Sequence, residues 1–155
     1  MFGKIIDDWM ASKQFKKSAW IKERLAIGDR AEEMLIQMLK ERGYEAVRLS
    51  QSPLGRRNYP DVVACKDGKW YVFEVKSLTV KGDTKIIKGK VIHTHPHVTV
   101  KKHQLAKCFR YLRNRKFEGD VYVVALFRRQ GEGSRWAFRK VDNARRDVKV
   151  PEPAF

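Results

Sequence analysis

Two carboxylates and a lysine share one face of a β-hairpin that the sequence predicts between residues 61 and 76. At its centre is Asp67-Gly68, a dipeptide that strongly favours a two-residue turn between two apolar strands. Counting outward from that turn places Asp61 directly opposite Glu74, and such residues share a sheet face with Cβ atoms about 4.5–5.5 Å apart. Because side chains alternate along a strand, Lys76 lies on the same face as Glu74.

Opposed carboxylates repel each other, so this pair indicates that a positive charge lies between them. Lys76 is one candidate. A divalent cation is the other, because Mg²⁺ takes oxygen ligands from one or two carboxylates together with water and phosphate oxygens. The alternative is purely structural: Asp61 would be a turn residue after Pro60, and Glu74 and Lys76 would be an exposed strand pair.

A helix predicted over residues 29–42 carries a third carboxylate. Asp29 is a good N-cap residue, and Gly43 suits the position just after a helix. At about 100° per residue, Glu32 falls on the edge of the apolar face of this helix, whereas Glu33 falls on its polar side. Glu32 is therefore either an inward-facing ligand or the partner of Asp29 in a capping box.

The remaining pattern predicts an α/β fold with a mixed central β-sheet flanked by helices. Strands are expected at residues 44–49, 61–65, 70–76, 121–127 and 135–140, and a second core helix at 98–115. The continuous apolar run 121–127 is typical of a central strand covered on both faces. We expect an N-terminal helical extension over 1–25, the main domain over 26–145, a long polar Lys-rich connection over 81–97 and a loose tail over 146–155.

The charge of the 155-residue chain indicates a polyanionic partner. Its 34 Lys and Arg outnumber its 18 Asp and Glu, and the resulting net charge of +16 is typical of nucleic-acid-binding domains. A cationic protein without such a partner is the alternative. The chain has 2 cysteines, which lie far apart in the sequence and are too few for a disulfide scaffold or a four-cysteine zinc site. The apolar run 121–127 is far shorter than the roughly 20 residues of a membrane helix, so we expect no membrane partner and a cytoplasmic protein.

These motifs resemble the PD-(D/E)XK nuclease superfamily, which has a restriction-endonuclease-like core. Pro60-Asp61 stands where the superfamily has PD, and Glu74-Val75-Lys76 stands where it has ExK. Within the superfamily the chain is most similar to archaeal-type Holliday junction resolvases, which also occur in viruses. Further matching segments, all between residues 26 and 127, are Gly28-Asp29-Arg30-Ala31-Glu32, Gly43-Tyr44, Val47-Arg48 and Val100-Lys101-Lys102-His103-Gln104.

The resemblance implies a metal site. Asp61, Glu74 and the Val75 carbonyl would bind Mg²⁺, for which Mn²⁺ could substitute, and Glu32 would bind the metal directly or through water. Such a metal lowers the pKa of bound water and neutralises charge that develops during phosphodiester hydrolysis. The products would carry a 5′-phosphate and a 3′-hydroxyl.

The resemblance also implies roles for basic residues. Lys76 would orient or activate the attacking water. Arg48 matches a basic residue needed for catalysis, although it could be an ordinary exposed strand residue. We expect DNA contacts from Arg30, Ser50, Ser52, Arg56, Arg57, Lys101 and Lys102. His93, His95 and His97 alternate, so in an extended chain they could bind zinc, or they could contact DNA phosphate.

The sequence thus predicts a magnesium-dependent crossover-junction endodeoxyribonuclease that cuts four-way DNA junctions at symmetric positions and also binds branched or duplex DNA non-specifically. A homodimer with two-fold symmetry would present two equivalent sites to the junction. A viral member would act in the host cytoplasm. The alternatives are another PD-(D/E)XK endonuclease, of nicking or restriction type, and a non-catalytic nucleic-acid-binding protein.

Overall fold

The computed structural model describes residues 30–49, 59–82 and 84–153, so the predicted N-terminal extension lies outside the described residues. No helix in these ranges is long and apolar enough to cross a membrane. The elements they contain are α1 (Arg30–Glu41), β1 (Glu45–Arg48), β2 (Val62–Lys66), β3 (Lys69–Val80), β4 (Thr84–Ile87), β5 (Lys90–His93), β6 (His97–Val100), α2 (Lys102–Arg115), β7 (Gly119–Arg129), β8 (Gly133–Val141) and β9 (Val148–Pro151).

A five-stranded mixed sheet, in the order β1-β2-β3-β7-β8, is the centre of the fold. Its neighbouring strands are antiparallel except for β3 and β7, which run parallel. Parallel strands need a long crossover connection, and α2 forms part of it. Helix α1 packs on one face of the sheet and α2 on the other, so the predicted α/β fold, with helices flanking a mixed sheet, is confirmed.

Each face of the sheet has its own apolar core. On one face, Leu35 and Leu39 of α1 are buried against Phe73. On the other face, Leu105 of α2 is buried against Val72. Residues 121–127 of β7 are buried throughout and alternate between the two cores, which confirms the prediction of a strand covered on both faces.

The hairpin that carries the chemical residues has the predicted register. Lys66 pairs with Lys69 and Cys65 with Trp70, so the turn consists of Asp67 and Gly68 alone. Both residues have positive φ, 53° and 77°, as a type I′ turn requires. The dipeptide therefore fixes which residues of β2 and β3 face each other.

The connection over residues 81–97, for which the sequence predicted no strand, is structured. It contains a second hairpin, in which β4 pairs with β5 from Thr84–His93 to Ile87–Lys90. Lys88 and Gly89 form its turn with φ of 51° and 77°. A lysine is an unusual first residue for such a turn, since Asn or Asp is preferred there, and this concealed the hairpin in the sequence.

Two further predictions are corrected by one strand pair. The second core helix begins at Lys102 rather than at residue 98, because His97–Val100 forms β6. Its partner is β9, so residues 148–151 are not part of a loose tail. Val98, Val100 and Val150 are buried by this pairing, and the alternation of apolar residues in both segments is the signal that favoured strands.

Gly119 is the position at which the sheet tolerates no side chain. It pairs with Trp70, and a Cβ atom there would lie 2.3 Å from the Trp70 carbonyl oxygen. We expect Gly119→Ala to lower the free energy of unfolding by about 1–3 kcal/mol, because backbone rather than a flexible side chain would have to move. Gly82→Ala is the matched control, since its Cβ would meet only the Thr84 carbonyl oxygen at 3.9 Å. Equal urea midpoints for the two variants would contradict this account.

Candidate active site

Asp61 is held at the point where the β1-β2-β3 ladder ends. Its backbone carbonyl accepts a hydrogen bond from the Leu49 N–H at 3.0 Å. Its side-chain Oδ2 accepts one from the Val75 N–H at 2.8 Å. The register of β2 and β3, extended by one residue from the Val62–Phe73 pair, places Asp61 opposite Glu74 as predicted. One aspartate is thus fixed from both neighbouring strands.

Glu74 is a carboxylate in the interior of the protein, with only 2% of its surface exposed. It lies on the α2 face of the sheet, where Lys107 Nζ is 3.3 Å from its Oε1. The Cys108 thiol is 3.9 Å from its Oε2. Burial of a charged group is costly unless an opposite charge accompanies it, and Lys107, itself buried, partly meets that need.

The surroundings of Glu74 favour its neutral form. Burial, followed by the nearby charge of Asp61, raises the pKa of Glu74 to about 8, although Lys107 opposes the rise. The same burial, together with the charge of Glu74, raises the pKa of the Cys108 thiol. Ionising both carboxylates is therefore unfavourable unless a further positive charge is present, and a bound cation would supply that charge.

Lys107 was missed by the sequence reasoning. It lies about 100° around α2 from Cys108, at the edge of the apolar face, where lysines ordinarily extend to solvent. No sequence pattern distinguishes a lysine that turns inward from one that turns outward at such a position. Only the pairing of β3 with β7 beneath α2 brings Glu74 under this side chain.

Lys76 and Val75 complete the predicted motif on β3. Val75 points toward α1, and Lys76 alternates onto the α2 face that Glu74 shares, where it is half-buried. Within the described part of the chain Lys76 forms no ion pair, whereas Lys107 takes the position beside Glu74. The sequence left Lys76 and a divalent cation as candidates for the positive charge beside these carboxylates. Among the described residues that charge comes from Lys107 of α2, and Lys76 forms no ion pair with either carboxylate.

Glu32 and Arg48, both predicted as catalytic, are brought together on the opposite, α1 face of the sheet. Arg48 Nε donates to Glu32 Oε2 at 2.5 Å, and Arg48 Nη1 lies 3.6 Å from Glu33 Oε1. Only 8% of the Arg48 side chain is exposed, so Arg48 is not an ordinary exposed strand residue. Glu32 is in contact with an arginine and is not placed in a group with Asp61 and Glu74.

Three metal-binding side chains do not meet anywhere in residues 30–49, 59–82 and 84–153, counting His, Cys, Asp and Glu. The histidines of the 93–97 segment therefore form no such group. Asp61 and Glu74, together with the Val75 carbonyl, still fit a hard cation by donor chemistry, since all three offer oxygen and the carboxylates are crowded. Glu32 as a further ligand remains a prediction.

The α2 face is open beside Asp61. Val47 and Val63 lie on this face and pair with each other, and Val47 is 56% exposed although Ala46, which faces α1, is buried. Asp61 itself is half-buried. Asp61 is therefore more accessible to a substrate than Glu74, which is almost fully buried.

The predicted DNA-contacting residues fall into two groups. Ser50, Ser52, Arg56 and Arg57 lie outside the described residues. Arg30 is the first residue of α1, and Lys101 and Lys102 begin α2, where Asp147 accepts from the Lys102 N–H at 2.8 Å and lies 3.4 Å from Lys101 Nζ.

Arg128 is a cation that the sequence reasoning did not select. Its Nε and Nη2 atoms are buried without a hydrogen-bond partner. Burial and the nearby Arg30 lower the pKa of its guanidinium. Arg128 pairs with Thr79 near the end of β3, so this end of the sheet concentrates positive charge.

Comparison with known proteins gives the same picture as the motif. The family of archaeal Holliday junction resolvases (Hjc) matches residues 23–150. Among solved structures, Hjc of Archaeoglobus fulgidus, a Holliday junction resolvase from an archaeal hyperthermophile, superimposes with a TM-score of 0.53 at 19% identity. The alignment covers 79% of this chain and 85% of that one, a likeness that concerns the fold alone. No curated protein matches the sequence. Because the family match spans most of the chain, the protein belongs to the archaeal Holliday junction resolvase family.

Proposed function

We propose that this protein is a magnesium-dependent endonuclease that resolves four-way DNA junctions by paired phosphodiester hydrolysis. The observation that carries the proposal is the opposition of Asp61 and buried Glu74 across the β2-β3 hairpin, with Lys76 on the same face. A structural or purely DNA-binding domain of net charge +16 would gain affinity by losing these carboxylates. Their retention at an electrostatic cost favours catalysis.

Asp61, Glu74 and the Val75 carbonyl are the residues that would hold the metal. When bound, Mg²⁺ supplies an acidified water and neutralises charge at the phosphate, and Mn²⁺ has the same preference for oxygen ligands. Asp61 is already oriented by the Val75 N–H, so little side-chain freedom remains to be lost when it binds a ligand. Lys107 holds Glu74 in place from the other side.

Lys76 would orient the attacking water and assist its deprotonation, since its ammonium group lies on the face of the carboxylates and has no ion-pair partner in the described residues. Arg48 would stabilise negative charge near the phosphate from the α1 face, and Glu32 and Glu33 would fix its side chain. Glu32 would then act as a positioning residue, or as a metal ligand directly or through water if α1 moves on binding.

DNA would be bound through its shape and its phosphates. Arg30, Lys101 and Lys102 supply cations at the starts of the two helices, and the 50–58 segment supplies Ser50, Ser52, Arg56 and Arg57. Lys101 and Lys102 would exchange their contacts with Asp147 for phosphate contacts. A homodimer would place two such sites on the two strands of a junction.

The distinction between a resolvase and a general PD-(D/E)XK nuclease lies in the substrate. We expect Mg²⁺-dependent cleavage of a synthetic four-way junction, at paired symmetric positions, to persist in a large excess of linear duplex of matched sequence. The reason is geometric, because only a junction offers two strands related by the symmetry of a dimer. Mapping both cut strands on a gel, with EDTA as the metal-free control, tests this. Equal cleavage of the linear duplex, or single unpaired nicks, would favour the general nuclease.

Asp61→Asn tests the metal site directly. The asparagine keeps an oxygen that can accept from the Val75 N–H but removes the charge, so we expect cleavage to fall by at least about 10²–10³-fold while junction affinity is unchanged or higher. Mg²⁺ should raise the Tm of the wild type by binding only the native state, and should leave the Tm of this variant unchanged. Asp67→Asn is the matched control, because Asp67 lies in the turn and asparagine suits its φ of 53°. A metal-dependent Tm shift that survives in Asp61→Asn would exclude this site.

Lys76 and Lys107 are expected to separate into a catalytic and a structural lysine. Lys76→Ala should slow cleavage by about 10²–10⁴-fold with little change in urea stability. Lys107→Ala should instead lower the free energy of unfolding by about 1–3 kcal/mol, since Glu74 loses the partner of its buried carboxylate. Single-turnover rates at saturating enzyme and junction Kd values are the measurements. If loss of affinity accounts for the whole rate loss of Lys76→Ala, then Lys76 is only a phosphate contact.

A further inference from the structure

The hairpin formed by β4, β5 and the Lys88-Gly89 turn, residues 84–93, carries four exposed aliphatic side chains, and we name it the ribbon. Ile86 is 74% exposed and Val91 67%, and Ile87 and Ile92 are 42% and 41% exposed. These are the largest exposures of large apolar side chains in the described residues apart from Val47. Exposed aliphatic side chains that cluster in this way mark an interaction site, whereas single ones scattered over a surface are ordinary.

Both faces of the ribbon carry exposed aliphatic side chains, and on one face these alternate with lysines. Ile86 pairs directly with Val91, so these two side chains share one face. Ile87 and Ile92 lie on the other face by the same register. Every residue of β5 is exposed, and an isolated two-stranded hairpin is only marginally stable in water. None of residues 84–93 belongs to either apolar core of the described residues, so the ribbon gains little stability from packing.

The base of the ribbon is tied to the strand that carries the candidate active site. β3 continues from Glu74 to Val80, the ribbon begins at Thr84, and the Thr94 hydroxyl donates to the Gly82 carbonyl at 3.2 Å at the base of the ribbon. Six residues of strand span about 20 Å, which is the length of about six base pairs of duplex. A DNA strand bound at Asp61 and Glu74 would therefore lie within reach of the ribbon.

We propose that the ribbon is a second DNA contact, in which Ile86 and Val91 touch base surfaces exposed at the branch point of a junction while its lysines contact phosphates. This inference rests on the proposed resolvase function. Aliphatic side chains of other DNA-bending proteins insert between base steps at the cost of unstacking them. At a branch point the stacking of the helices is already interrupted, so that cost is lower than in continuous duplex.

The charge of the ribbon favours DNA over a second copy of the chain as its partner. Residues 84–93 contain three lysines and no Asp or Glu. Lys88 and Lys90 are exposed: Lys88 lies in the turn, and Lys90 pairs with Ile87 on the face opposite to that of Ile86 and Val91. Two chains of net charge +16 would bring such lysines toward a cationic surface, whereas nucleic acid offers apolar base faces flanked by phosphates. Arg30 and Arg128 add positive charge at the end of the sheet from which the ribbon leaves.

The test is the double variant Ile86→Thr, Val91→Thr. Threonine is β-branched and keeps the strand preference, so the ribbon should stay folded while it loses apolar surface. We expect junction affinity to fall about tenfold and duplex affinity to stay within about twofold, with the same salt dependence as wild type. A 2-aminopurine placed at the branch point should brighten on binding wild type and brighten less with the variant, because fewer bases are unstacked.

Lys88→Asn is the matched control. Asparagine before Gly89 suits the turn, whose first residue has φ of 51°, so this change removes one charge and keeps the hairpin. It should weaken binding to junction and duplex alike and reduce the salt slope by about one, without altering the 2-aminopurine signal.

Three results would overturn the inference. The threonine variant could bind both DNAs as wild type does, or it could weaken both equally, which would show only a general effect on binding. It could also dissociate a dimer in light scattering, which would make the ribbon a contact between copies of the chain. In each case wild-type cleavage of the junction keeps the proposed function intact, whereas failure of wild type to prefer a junction overturns that function whatever the variant does.

Discussion

The crowding of two carboxylates across one hairpin is the constraint on which the rest of the structure depends. Asp61 and Glu74 stand opposite each other because the Asp67-Gly68 turn admits a single register, and a slip of one residue would turn them onto opposite faces of the sheet. Glu74 is buried because β7 pairs with β3 from the other side and α2 lies above both. The surrounding fold thus keeps an unfavourable charge pair in place, as expected if the pair serves the proposed activity rather than stability.

The hairpin and its chemistry could be predicted from the sequence because they are local. A two-residue turn determines every cross-strand pair within reach, so the juxtaposition of Asp61 and Glu74 follows by counting. Lys107 could not be predicted in this way, since its contact with Glu74 depends on the rotation of α2 over a sheet assembled from distant segments. The pairing of β6 with β9 was missed for the same reason. It joins residues about 50 positions apart, and no short turn connects the two strands from which their pairing could be predicted.

The sheet also divides the predicted catalytic residues between two environments. Asp61, Glu74 and Lys76 lie on the α2 face of the sheet, where burial and like charge raise the pKa of Glu74 and where Val47 of β1 is exposed. Arg48 of β1 and Glu32 of α1 meet on the other side of the sheet, where they form an ion pair. Sequence spacing alone left open whether Glu32 joins the other carboxylates or only caps its helix, because a helical wheel shows which side of a helix is apolar but not which face of the sheet that side will cover.

The ribbon follows from the same strand that carries the active site. β3 is longer than its partner β2 and continues beyond it along β7 to Val80, so the candidate site and the base of the ribbon belong to one rigid element. A continuous strand would fix the separation between the proposed cleavage site and the proposed base contact. Binding that depends only on net charge does not distinguish one DNA shape from another, because any duplex supplies phosphates. A fixed distance between a cleavage site and an apolar contact is sensitive to shape, since only a branched substrate presents a backbone at one point and exposed bases at the other.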